Sequence, residues 1–150
     1  MAASTKLATS VKALCHLAET YPHPQSSQAI SRVLGVNASK LRQLLSLLSR
    51  GGIVVSTMGK AGGFLLNKDP RALHLQEIYC AVEDRKAFFL DTGSRDDNNE
   101  RSAAFNHYFL DLYDGIQLDI EDRMRTISIA SVMSRLGLVS AYSNSKQQAF

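Results

Sequence analysis

Apolar side chains recur every three or four residues through the first part of the chain, a spacing that gathers them on one face of an α-helix. Leu7, Val11, Leu14 and Ala18 follow this spacing, which predicts a first helix from Thr5 to Glu19. The prolines just beyond it end the helix, because a residue that precedes proline is pushed out of helical geometry.

Two shorter helices joined by a tight turn are predicted next. The first begins at Ser26 or Ser27, either of which can cap a helix, and the second covers residues 38–50. In the turn between them, Gly35 can adopt positive φ and Asn37 can cap the second helix. This spacing is typical of a helix-turn-helix.

The pattern changes from helical to strand-like after the second helix. Residues 53–57 and 64–66 are rich in β-branched and apolar side chains and predict two strands, and the glycine-rich segment 59–63 predicts a flexible tip between them. A small β-wing therefore follows the helix-turn-helix. A further short helix is predicted from His74 to Glu83.

The second half of the chain is predicted to hold one long helix. A polar loop over residues 91–100 precedes it, and the tail, residues 143–150, is expected to fray. The fold class is thus mainly α with a small β-wing, a winged helix-turn-helix followed by a long C-terminal helix. We divide the chain into a winged helix-turn-helix domain (1–85), a linker (86–103), and a dimerisation helix with its tail (104–150).

The outward face of the second helix of the motif is polar, basic and free of acidic residues. Its members are Ser39, Lys40, Arg42, Gln43, Ser46 and Arg50. In a helix-turn-helix such a face reads duplex DNA, since glutamine can bond adenine while lysine and arginine favour guanine or phosphate. Ser27, Gln28 and the wing lysine Lys60 complete the predicted DNA contacts.

A plain helical hairpin with a solvated polar face would show the same helix-turn-helix pattern. The wing favours DNA binding over that alternative, because a basic tip can reach a neighbouring groove. Charge favours it as well: residues 1–85 carry ten Lys/Arg and five Asp/Glu, whereas residues 86–150 carry seven and nine. An excess of positive charge beside the motif suits a polyanionic partner.

Four segments of the sequence resemble the Rrf2-type bacterial transcription regulators. They are LATSVKALCHLAE, AISRVLGVNASKLRQLLSLLSRGGIV, GKAGGFLLNKDP and HLQEIYCAVED. The resemblance covers roughly the first 85 residues and implies a homodimer whose long helices cross, with two recognition helices on a palindromic operator. Cluster-binding members of that family carry three cysteines before the long helix, and residues 85–104 contain none. Lys40 stands where many relatives have tyrosine, so their operator preference does not transfer. The chain looks closer to the cluster-free members.

The apolar seam of the long helix is interpreted as the dimer interface, the alternative being that it covers the chain's own core. The seam consists of Phe105, Phe109, Leu112, Ile116, Ile120 and Met124. About 20 helical residues extend roughly 30 Å, the width of a small domain, which favours packing between two copies.

Both cysteines are interpreted as buried and inert, since free cysteine is a common core residue. The sharper hypothesis makes Cys15 a redox switch, with His16 and Lys12 lowering the pKa of its thiol. The four histidines show no ligand spacing, so neither a metal nor another cofactor is expected.

The function predicted from the sequence is that of a cytoplasmic, sequence-specific DNA-binding regulator, more specifically a homodimeric repressor without an iron–sulfur cluster. No membrane association is expected, because no stretch approaches the ~20 apolar residues of a membrane span. A protein-interaction module that has lost DNA binding is the alternative. A catalytic domain is disfavoured, since no catalytic motif is found in the sequence. The sequence identifies no effector, operator or regulated gene.

Overall fold

The computed structural model describes residues 5–84 and 100–142, and it confirms the predicted fold class. The elements are α1 (Thr5–Glu19), α2 (Ser27–Leu34), α3 (Ala38–Arg50), β1 (Val54–Thr57), β2 (Gly63–Leu66), α4 (Leu75–Val82), α5 (Glu100–Arg125) and α6 (Ile129–Arg135). The bounds of α1 and α3 are those predicted from the sequence.

Side-chain caps and one glycine set the geometry of the helix-turn-helix. The Ser26 side chain accepts a hydrogen bond from the backbone N–H of Ala29, so the cap of α2 is the first serine of the pair. Gly35 ends α2 with φ 65°, a left-handed conformation that costs glycine little. The Ser31 hydroxyl donates to the carbonyl of Val36 at 2.6 Å, which ties the turn to α2.

The core lies where α1, α2, α3 and α4 meet. As predicted, α3 buries one leucine face and leaves the rest of its surface outside. The buried members of that face are Leu41, Leu44, Leu45 and Leu48. These leucines pack with Leu14, Leu17 and Ile30, so α3 is held against both α1 and α2. The leucine face therefore fixes which side of α3 is presented to solvent.

The wing is a two-stranded antiparallel hairpin that is also bonded to the segment before α2. Val54 pairs with Leu66 at its base and Thr57 with Gly63 at its tip. The backbones of Gln25 and Phe64 exchange two hydrogen bonds, at 3.1 and 2.8 Å. These bonds attach the wing to the start of the helix-turn-helix.

The C-terminal segment returns to the first domain, which differs from the predicted division at residue 104. Ile129, Met133 and Tyr142 belong to the same core as the leucines of α3. Around α6, the backbone N–H of Ile129 donates to Leu73 at 2.8 Å, and that of Ala141 donates to Ala18 at 2.9 Å. The helix-turn-helix core is thus completed by residues far along the chain.

The long helix α5 begins at Glu100, at the end of the loop predicted for residues 91–100, and the rest of that loop lies outside the described residues. The tail over residues 143–150 lies outside them as well. Within residues 5–84 and 100–142, none of the helices combines the length and the hydrophobicity needed to cross a membrane.

Candidate nucleic-acid interface

The outward face of α3 is solvent-exposed along its whole length. The Asn37 side chain accepts a hydrogen bond from the backbone N–H of Lys40 at 3.0 Å and so caps the N-terminus of α3, the end that would enter a DNA groove. The buried leucines leave the predicted polar residues outside, and each of them is exposed: Ser39, Lys40, Arg42, Gln43, Ser46 and Arg50. The structure places these side chains on one surface, as the periodicity predicted.

The basic side chains of this surface are free of ion pairs. Lys40, Arg42, Arg50 and Lys60 have no acidic partner anywhere in the described residues. By contrast, Lys6, Lys68 and Arg71 each pair with an acidic side chain. The sequence contains no Asp or Glu between Glu19 and Asp69, a gap of 49 residues that carries six Lys/Arg. The positive charge of this surface is therefore not neutralised locally.

The start of α2 differs from the prediction at one residue. Ser27 is only 8% exposed, because the chain turns inward directly after the capping serine, so its side chain is not available to DNA. Gln28 is exposed, as its predicted role requires. Arg32, one turn further along α2, is exposed and has no ion-pair partner in the described part of the chain, and the sequence analysis missed it. The four-residue spacing from Gln28 could have found it.

The wing tip presents Lys60 at the end of a tight turn. The N–H of Gly62 donates to the carbonyl of Gly59 at 3.0 Å, and the Thr57 hydroxyl accepts from the N–H of Gly63 at 3.1 Å. These bonds close the loop and leave Lys60 fully outside it. Met58 beside it is 96% exposed, an unusual position for a large apolar side chain.

The apolar seam of α5 divides into two faces. At 100° per residue, Phe105, Phe109, Leu112 and Ile116 lie within about 60° of one another, whereas Met124 lies about 100° away from Phe105. Phe105 is 55% exposed, and Met124 is 8% exposed. The placement of Met124 in an interface was therefore wrong, because Met124 is buried within its own chain.

A polar contact holds the inner face of α5 against α4. Gln117 is buried, and its side-chain amide donates to the Tyr79 hydroxyl at 3.2 Å. On the outer face, Phe105, Phe109 and Leu112 are exposed and Ile116 is half-buried. We call these four residues the α5 stripe. Ile120 lies at its edge and is half-buried.

Of the two cysteines, Cys15 is buried as predicted and Cys80 is not. Cys15 is buried, and burial together with the nearby Glu19 carboxylate raises the pKa of its thiol to about 11. The raised pKa removes the basis on which the redox switch was predicted, which was a pKa lowered by Lys12 and His16. Cys80, predicted to be buried, is exposed on α4, and its thiol accepts a hydrogen bond from the Gln76 side chain at 3.2 Å.

Known proteins share both this sequence pattern and this fold. The family model Rrf2, described as an iron-dependent transcriptional regulator, matches residues 3–135. YwgB of Bacillus subtilis, which carries the name of an HTH-type transcriptional regulator, is 33% identical over 116 residues, or 75% of this chain and 70% of YwgB.

Solved structures show the same fold at lower identity. IscR of T. potens superposes with a TM-score of 0.67 at 23% identity, over 91% of this chain and 88% of that one. A transcriptional regulator from Lactobacillus plantarum reaches a TM-score of 0.78 at 17% identity, over 97% and 99% of the two chains. With a family match that spans most of the sequence, the chain belongs to the Rrf2 family of winged-helix transcriptional regulators.

Proposed function

We propose that this protein is a sequence-specific DNA-binding repressor that acts as a homodimer on a palindromic operator. The observation that carries the proposal is the face of α3, which is exposed, basic and unpaired while its leucine face is fixed in the core. Ser39, Lys40 and Gln43 lie in the first part of α3, the part of a recognition helix that meets base edges. A protein bound at a promoter blocks transcription from it, and this is how the protein would act as a repressor.

The other cations supply contacts that do not depend on sequence. Arg42 and Arg50 on α3, Arg32 on α2 and Lys60 on the wing lie around the reading residues and can neutralise phosphates. Gln28 can add a hydrogen bond to a phosphate at the start of α2. We leave Ser27 out of the interface because its side chain is buried.

The α5 stripe supports a homodimer. It is an apolar surface about 17 Å long on a helix of 26 residues, and a second copy of the helix would cover it. A two-fold dimer presents two copies of α3, and successive major-groove faces of one side of DNA lie about 34 Å apart. Such an arrangement reads a palindrome.

The residues present do not fit a thiolate-held iron–sulfur cluster, although the family is described as iron-dependent. Such clusters are held by about four cysteines, and the sequence has only Cys15 and Cys80. Cys15 lies in the core of α1 with a raised pKa, which disfavours the thiolate that a metal requires. We therefore propose a cluster-free, cytoplasmic regulator that responds to another signal.

Selection of bound fragments from genomic DNA would identify the operator, and two variants would then test the reading surface by fluorescence anisotropy. Gln43→Ala is expected to cost about 1–3 kcal/mol on the selected operator and to relax preference at one base pair. Lys60→Ala is expected to weaken binding to all sequences and to reduce the slope of log K against log salt by about one for each bound protomer.

Arg71→Ala is the matched control, because it removes one exposed positive charge that is already paired with Asp69. It should leave operator affinity within about twofold of the wild type. Wild-type affinity in both Gln43→Ala and Lys60→Ala would show that another surface binds DNA. Failure to select any fragment would favour the alternative, a winged-helix module that binds protein instead of DNA.

A further inference from the structure

A small, half-open apolar cavity lies where α1, α2 and the C-terminal segment meet, and its outermost members Val33 and Leu136 are exposed. Its volume is about 260 Å³, and its apolar lining consists of Val11, Val33, Leu34, Val132, Leu136 and Leu138. An apolar protein cavity of about 150 Å³ is large enough to bind benzene, whereas sites for drug-sized ligands begin at roughly 300 Å³. The volume therefore suits a ligand with one compact apolar group.

Two opposite charges stand on α1 at this cavity. Lys12 and Glu19 both line it and are both exposed, and neither forms an ion pair within the described residues. They are seven positions apart, so they share one face of α1 at about 10 Å along its axis. The flexible lysine stem shortens that distance, which leaves room for a ligand group between the two charges.

The pair of charges restricts the chemistry of the ligand. A simple apolar acid could pair with Lys12 but would leave Glu19 without a partner, and an apolar amine would pair with Glu19 alone. A zwitterion satisfies both side chains. Cys15 and His16 lie between them on α1 and also line the cavity, and the buried Cys15 thiol, with its raised pKa, adds no third charge.

We propose that this cavity binds an apolar α-amino acid, with its side chain among the valines and leucines, its carboxylate at Lys12 and its ammonium group at Glu19. The effector role of this site rests on the proposed function. Val33 and Leu34 belong to α2, so a ligand here contacts the helix-turn-helix directly. Reciprocal coupling then links amino-acid affinity to operator affinity.

Isothermal titration calorimetry on the full chain without DNA tests the site, with L-valine, L-leucine, L-methionine and L-phenylalanine as probes. At least one is expected to bind with one site per chain. Two leucine analogues test the charges: 4-methylpentanoate lacks the ammonium group, and 3-methylbutylamine lacks the carboxylate. If leucine binds, each analogue should bind at least about tenfold more weakly. Binding of either analogue as tightly as leucine would overturn the zwitterion, and binding of none of the four amino acids would overturn the site.

Variants of the two rim residues provide the second test. Lys12→Met and Glu19→Gln should each weaken the amino acid that binds by about tenfold, and both side chains are exposed, so folding is preserved. Lys6→Met is the matched control, because Lys6 lies on the same helix but pairs with Asp84 and does not line the cavity. Equal affinity in all three variants would overturn the assignment.

Operator affinity with and without amino acid is a second measurement, independent of the calorimetry. Saturating amino acid should change operator affinity by at least about threefold, and an unchanged affinity would overturn the effector role. A protein that binds an amino acid but no DNA would support this site and contradict the proposed function. A protein that binds its operator but none of the four amino acids would overturn this site alone.

Discussion

Gly63 is the residue at which the wing meets the helix-turn-helix. A Cβ at this position would lie 2.5 Å from the carbonyl carbon of Gln25 and 2.8 Å from the backbone nitrogen of Ser26. Both are backbone atoms that cannot move aside cheaply, and the Gln25–Phe64 hydrogen bonds hold them there. Gly63→Ala should therefore lower the free energy of unfolding by about 1–3 kcal/mol in urea titrations.

Gly115→Ala is the matched control for this prediction. Gly115 lies within α5, and a Cβ there would meet nothing within 4 Å. Alanine is the better helix former, so this variant should raise the free energy of unfolding by about 0.5–1 kcal/mol. Equal stability of Gly63→Ala and the wild type would show that the wing is less tightly attached than the structure indicates.

Cys15 should resist alkylation in the folded protein. With its pKa at about 11, roughly a hundredfold less thiolate exists at pH 8 than for a thiol at the ordinary value of 9.0, and the thiolate is the reactive form. Iodoacetamide at pH 8, followed by peptide mass spectrometry, should label the exposed Cys80 first and Cys15 only after denaturation. Rapid labelling of Cys15 in the native state would restore the redox hypothesis.

The sequence could not distinguish the surroundings of these two cysteines. Both follow the same apolar periodicity, but α1 is central and α4 leaves Cys80 on its outer side. A position on an apolar stripe becomes buried only when another element covers it, and that covering is a tertiary property. Ser27 shows the same limit at a helix start, since a shift of one residue in the cap moves a side chain from solvent to the core.

At the scale of the element, the cap of α3 connects stability to binding. Asn37→Ala removes the hydrogen bond to the N–H of Lys40 and should cost about 0.5–2 kcal/mol of unfolding free energy. Because it loosens the turn that carries Ser39 and Lys40, operator affinity should fall as well. Urea titration and fluorescence anisotropy on the same preparation measure the two effects.

Ser128→Ala is the matched control for the cap. Its hydroxyl accepts from the N–H of Ser131 and caps α6, which lies outside the proposed DNA-binding surface. It should show a similar loss of stability with operator affinity retained. If both variants lose affinity equally, the cap of α3 acts through general destabilisation only.

The sequence predicted α3 well because its pattern is local: two caps, one leucine face and one polar face within 13 residues. It missed α6, whose seven residues make only two turns, too few to establish a helical period. The capping serine Ser128 and the positive φ available at Gly137 were the signals that could have found it. The return of α6 to the core depends on backbone bonds to residues 70 and 73 that no local pattern encodes.

For the whole molecule, prediction from the sequence fails along the long helix, because apolar positions at a regular spacing do not stay on one face of it. Apolar positions chosen three or four residues apart along α5 remain on one face for a few turns only. Met124, at the end of the series, lies about 100° around the helix axis from Phe105. The inner face packs on the α4 side, where Gln117 is buried, while three of the four residues of the α5 stripe are exposed. The apparent seam thus divides into a packed inner face and a more exposed outer face, and only the packed chain shows where one ends and the other begins.

The α5 stripe makes a prediction for the assembly. Phe109→Asp places a charge at the centre of the stripe, where a second copy would leave it desolvated and unpaired, so the dimer dissociation constant should rise by at least about a hundredfold. Phe109 is 37% exposed within one chain, so the fold should tolerate the change. Leu118→Asp is the matched control, since Leu118 is 58% exposed on the opposite side of α5.

Sedimentation velocity separates the outcomes: a dimer for the wild type and for Leu118→Asp, and a monomer for Phe109→Asp. Because a monomer carries one α3 and one wing, it neutralises about half as many phosphates, and its salt slope on the operator should be about half that of the dimer. A dimeric Phe109→Asp would show that another surface joins the two copies. A monomer with an undiminished salt slope would show that two chains meet only on DNA, where the operator itself sets the distance between the two copies of α3.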